Sequence, residues 1–75
     1  MHAEGVVAGV ADLILMLPTA DHHALCIEMK TDKGRQSDKQ KEWQAAVEKH
    51  GYKYIICRSF QDFFFEVTKY LQKIL

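Results

Sequence analysis

Asp12 and the triplet Glu28-Met29-Lys30 bring two carboxylates and an ammonium to the ends of two apolar runs. The runs, residues 13–17 and 24–29, flank the polar connection Pro18-Thr19-Ala20-Asp21-His22-His23. Short apolar runs bounded by turn residues predict strands, and a short link between two strands predicts an antiparallel pair. The start of the first strand then lies beside the end of the second, so Asp12 faces Glu28 or its immediate neighbour. Side chains alternate across a strand, which puts Glu28 and Lys30 on one face and Met29 on the other. In the even register Asp12 joins that face. Two carboxylates directly across a ladder repel each other, and Lys30 offsets only part of their charge. A divalent cation held by hard oxygen ligands resolves the repulsion.

These groups need a sheet and a following helix to hold them. Residues 31–36 are polar, with Gly34 marking a turn. Ser37 is an N-cap, and Gln40 three residues later completes a capping box. The helix it opens runs to about His50, with Gly51 as its C′ stop. Its apolar side carries Trp43, Ala46, Val47 and His50, and Gln40 falls on the same stripe. An amide there costs stability unless it is hydrogen-bonded. Two roles therefore compete for Gln40: the capping box, which glutamate would serve equally, and a role in an active site, which is favoured. Residues 52–57 form a strand by aromatic and β-branched content. Ser59 caps a final helix with Asp62 in its first turn. Phe60, Phe63, Phe64, Val67, Leu71 and Ile74 make its expected buried stripe, leaving Phe65 outside it for an interface. Residues 4–10, with two glycines, suit a loop or a short edge strand.

The order strand, strand, helix, strand, helix predicts a small α/β (α+β) domain with a mixed sheet. Its strand–helix–strand part pairs in parallel through a right-handed crossover.

Seventy-five residues make one domain, 1–75, whose own core is marginal. A self-association surface is expected. Net charge is zero, so no global field points to nucleic acid, although Lys30, Lys33, Arg35, Lys39 and Lys41 cluster, relieved by Asp32 and Asp38. Taken alone, that cluster is a solvated loop and helix start. Cys26 and Cys57 lie in apolar runs without CxxC or Cys/His spacing, which argues against zinc and predicts buried reduced thiols. His22 and His23 fall at the hairpin tip, away from the acidic end, as exposed turn residues. His50 suits a helix C-terminus. Trp43 belongs to the core, and Tyr52 and Tyr54 close the strand's ends or serve an interface. No basic segment with a long apolar stretch opens the chain, and no run reaches membrane-spanning length. An intracellular protein with no membrane partner is expected.

Taken together, Gly9-Val10-Ala11-Asp12-Leu13-Ile14-Leu15, then Ile27-Glu28-Met29-Lys30, then Gly34, Ser37, Gln40 and Trp43 resemble the virus-type replication-repair nuclease (VRR-NUC) domain. That family belongs to the PD-(D/E)xK superfamily of restriction-endonuclease-like folds. The likeness runs from Gly5 to Leu71 and includes the Gly51-Tyr52 junction and Arg58-Ser59-Phe60. An isolated ExK after an aspartate is weak. The hairpin placement joined to Ser37-x-x-Gln40-x-x-Trp43 is specific. The resemblance implies that Asp12 and Glu28 bind Mg²⁺ or Mn²⁺, with the backbone carbonyl of Met29 as third ligand. It further implies that Lys30 orients or helps deprotonate the attacking water and that Gln40 positions that water or the phosphate. Such an ion acidifies water and acts as a Lewis acid, as phosphodiester hydrolysis requires. With a nuclease site in place, Lys33, Arg35 and Lys39 become phosphate contacts.

Small stand-alone members of the family resemble Holliday-junction resolvases that act as dimers on branched DNA in repair, which implies DNA and a second copy as partners and a phage or bacterial origin. The chain departs from the family pattern in two places. Ala11 stands where the family usually has proline, and the family's N-terminal helix with its glutamate is not in the sequence; Glu4 does not replace it by position. A naturally minimal chain, or a piece of a longer one, is expected. Two other readings compete: a catalytically inactive DNA-binding or assembly module of the same fold, supported by that missing glutamate, and an unrelated α/β interaction domain with an accidental ExK.

Overall fold

A computed structural model describes residues 8–74 of the chain. Glu4, and most of the segment expected to be a loop or edge strand, lie outside the described residues. Within them the elements follow the expected order: β1 (Leu13–Leu15), β2 (Leu25–Met29), α1 (Asp38–Lys49), β3 (Lys53–Cys57) and α2 (Phe60–Leu71). The sheet order is β1-β2-β3, with β2 central, antiparallel to β1 and parallel to β3. β1 is shorter than its apolar run, because the chain leaves the ladder after Leu15. The connection is organised by Thr19, whose Oγ1 accepts the amides of Asp21 and His22 at 3.2 and 3.0 Å.

Period-two alternation along β2 builds two cores, one on each face. Leu25 and Ile27 join Cys57 and Tyr70 beneath α2, with Phe63, Val67 and Ile74 half-buried around them. Cys26 joins Ala11 and Tyr54 on the opposite face, where Trp43 and Val47 of α1 pack. Both cysteines are buried free thiols, pushed up from the usual thiol range by burial.

Ser37 caps α1 with its side chain on the Gln40 amide, and Gly51 follows the helix with φ +88. An L side chain is strained at that angle. Gly9 is constrained more tightly: at φ +86, an added Cβ would lie 2.3 Å from the Lys39 carbonyl oxygen. The backbone entering Asp12 is therefore pressed against the first turn of α1 and needs glycine there.

The helix faces differ from expectation. In α1, Ala46 and His50 are exposed, and only Trp43, Val47 and the polar Gln40 and Gln44 are half-covered. In α2, Phe60, Phe64 and Leu71 face outward, the first at 71 % exposure, while Tyr70 is the buried residue at 3 %. The rotation has a polar cause: Tyr70 donates its hydroxyl to the Leu17 carbonyl at 2.6 Å, which turns α2 around that bond. Phe65 is exposed as expected, under the Lys69 ammonium at 5.2 Å.

Candidate active site

The β1–β2 register pairs Leu13 with Ile27. One step further along the antiparallel ladder, Asp12 stands opposite Glu28, which is the even register. Asp12 Oδ2 accepts the Met29 amide at 2.8 Å. In an extended strand a residue's N–H and C=O point to the same edge, so the Met29 carbonyl opens toward Asp12 as well. The Met29 side chain falls on the other face of β2.

Glu28 is the buried member, at 2 % exposure. Gln40 donates Nε2 to Glu28 Oε2 at 2.9 Å, and Lys30 Nζ lies 3.8 Å from the same oxygen. Gln40 makes the capping bond and a bond to Glu28 at the same time. Its Oε1 accepts the Ser37 amide at 2.9 Å while its Nε2 serves Glu28. Glutamate could do the first and not the second, which is why an amide stands here.

Burial, and then the negative charge of Asp12, hold the Glu28 carboxyl above the ordinary glutamate range, against the opposing pull of Lys30. A carboxyl whose pKa is higher folded than unfolded contributes full stability below its unfolded value and loses it as pH rises through the folded one. The metal-free protein is therefore expected to lose stability as pH climbs out of the glutamate range. Asp12→Asn should flatten that decline by removing the second cause. Urea midpoints measured against pH in EDTA check this, and parallel curves for the two proteins would contradict it.

Two contributors are not legible in the sequence. Tyr54, expected at a strand end or an interface, is buried on the α1 face with its hydroxyl 3.5 Å from Glu28 Oε1. The parallel pairing of Cys26 with Tyr54 puts it there, and that pairing is the signal that could have found it. Arg58, which follows β3, reaches across the sheet end. Its Nη1 donates to the carbonyls of Thr31 and Gly34 at 2.8 and 2.7 Å. It thereby ties down the loop that carries Lys33 and Arg35.

Lys33, Arg35 and Lys39 are exposed on that loop and the first turn of α1, with Lys39 Nζ 3.7 Å from Glu42. Trp43 is half-buried with its ring 6.1 Å from that of Tyr54, a packing position. His23 is exposed, tilted against Tyr52.

Among the described residues no third His, Cys, Asp or Glu joins Asp12 and Glu28 as a metal cluster. The remaining donor on offer is the Met29 carbonyl. Two facing carboxylates, one of them buried, form a donor set suited to a hard divalent ion.

The VRR-NUC domain model matches residues 2–61. The chain belongs to the VRR-NUC family. A solved structure described as a VRR_NUC domain protein is similar with a TM-score of 0.85 at 29 % identity, over 91 % of this chain and 57 % of that one. This VRR-NUC chain therefore spans a little over half the neighbour's length. No curated protein matches it. No helix among the described residues is long and apolar enough to cross a membrane.

Proposed function

We propose that this VRR-NUC domain is a Mg²⁺- or Mn²⁺-dependent endonuclease that hydrolyses phosphodiester bonds in branched DNA during replication or repair. The observation that carries the reading is the placement of Asp12 opposite Glu28, with Lys30 and Gln40 both on the Glu28 carboxylate. Asp12, Glu28 and the Met29 carbonyl would hold the ion. When bound, it supplies Lewis acidity and a more acidic water. Lys30, as an ammonium, orients the attacking water and offsets charge developing on the phosphate. Gln40 keeps Glu28 in place, and among the described residues its second Nε2 proton meets no acceptor, which leaves it for water or phosphate. The test is cleavage of junction, flap and linear duplex substrates in Mg²⁺, Mn²⁺ or EDTA. Metal-dependent cleavage with a preference for branches supports the reading. Binding without cleavage in any divalent metal would favour an inactive DNA-binding module, and no DNA affinity at low salt would remove both.

Lys33, Arg35 and Lys39 are proposed to bind phosphates. Neutralising any one of them should lower the magnitude of the slope of log affinity against log salt by about 0.9. The triple alanine variant is therefore expected to bind with a visibly shallower salt dependence. An unchanged slope would reassign these residues to solvent.

Two cuts on opposing strands suit a symmetric dimer. Exposed Leu13, Ile14, Phe60, Phe64 and Phe65 offer the apolar surface that self-association would cover. Sedimentation equilibrium should return twice the 8.7 kDa chain mass. A monomer at all accessible concentrations would remove this part of the proposal.

A further inference from the structure

We propose that Tyr54 and Gln36 are positioning residues for the Glu28 carboxylate, joined to it by a hydrogen-bond chain in which Gln36 donates both ways, toward Glu48 through Gln44 and toward Glu28 through Tyr54. The inference rests on the reading of Asp12 and Glu28 as ligands of a divalent ion. Gln44 Nε2 donates to Glu48 Oε2 at 3.3 Å, which leaves Gln44 Oε1 to accept from Gln36 Nε2 at 2.9 Å. The same Gln36 nitrogen spends its other proton on the Tyr54 hydroxyl at 3.2 Å. That hydroxyl must then turn its own proton to Glu28 Oε1, 3.5 Å away. Both ends of the chain are carboxylates, which when ionised only accept, so the donors diverge from the Gln36 nitrogen and the phenol proton is left for Glu28.

Packing explains the ring of Tyr54 and not its oxygen. Phenylalanine would fill the space beside Trp43, Ala11 and Cys26 equally well, and a buried hydroxyl costs stability unless it is paired. With Tyr54 on Oε1 and Gln40 on Oε2, both oxygens of Glu28 are held. The plane of the carboxylate is thereby set, while each oxygen keeps acceptor capacity for an ion. Groups that hold a ligand's orientation from behind typically cost 10–100-fold in metal affinity when removed.

The test is calorimetric titration of Mn²⁺ into the DNA-free protein, for wild type, Tyr54→Phe and Gln36→Leu, alongside melting curves in EDTA. Tyr54→Phe is expected to bind Mn²⁺ about tenfold more weakly or worse, with melting close to wild type. Gln36→Leu leaves the phenol free to turn away and is expected to shift affinity in the same direction by less. A wild type that binds Mn²⁺ with affinity equal to that of both variants overturns the positioning role alone. A wild type that binds no Mn²⁺ overturns the metal reading beneath it.

Discussion

Asp12→Ala and Lys30→Ala proteins are expected to stay folded and to lose metal-dependent DNA cleavage. Asp12 is exposed, and its carboxylate accepts the Met29 amide at 2.8 Å. Water can replace that acceptor at the end of the strand, so removal costs little structure. It also relieves the charge that presses on buried Glu28, so metal-free stability should hold or rise. Activity should fall to the level seen in EDTA, because one carboxylate and a carbonyl cannot hold the ion the pair was built for. Lys30 is held differently. Its amide is in place on the Cys57 carbonyl at 2.9 Å whatever the side chain is, so Lys30→Ala keeps the end of β2. Removing the ammonium should cost roughly 10²–10³-fold in rate through lost stabilisation of the charge developing on the phosphate. Gel assays on junction DNA, with circular dichroism on the same samples, check both. Cleavage that survives both substitutions in folded protein would eliminate the proposed nuclease site.

Gln40→Glu should be the most destabilising conservative change at the site. The carboxylate keeps one oxygen for the Ser37 amide, so the capping box survives. Its other oxygen meets Glu28 where the amide now donates at 2.9 Å, placing a third negative charge beside Asp12 and a carboxyl already raised by burial. Loss of the cap alone, as in Ser37→Ala, costs about 1 kcal/mol. Gln40→Glu is expected to exceed that in EDTA at neutral pH, and to recover as pH falls and the crowded carboxyls protonate. Chemical denaturation at two pH values measures it. A variant as stable as wild type at neutral pH would mean that the bond from Gln40 to Glu28 contributes nothing.

The legible parts of the fold follow from local spacing. Turn residues bounding two apolar runs are enough to pair β1 with β2, and antiparallel pairing alone brings Asp12 near Glu28. The Ser37 to Gln40 spacing announces the cap, and the alternation in β2 places Lys30 with Glu28. What stays hidden depends on how elements meet. The Phe63-Phe64-Phe65 run allows several rotations of α2, and the one adopted is set by the Tyr70 hydroxyl reaching Leu17, fifty-three positions away. Tyr54 and Arg58 gain their partners from the β2–β3 register, which no single stretch of sequence states. Gln40 presents two competing roles in the sequence because pattern assigns a residue one task, whereas an amide has a donor end and an acceptor end.

Crystals soaked in Mn²⁺ and measured at the manganese absorption edge offer the most direct check. An anomalous peak bridging the carboxylates of Asp12 and Glu28, within bonding reach of the Met29 carbonyl, is the predicted result. A well-ordered site with no peak there, or with the ion bound elsewhere, would contradict the metal-dependent nuclease reading.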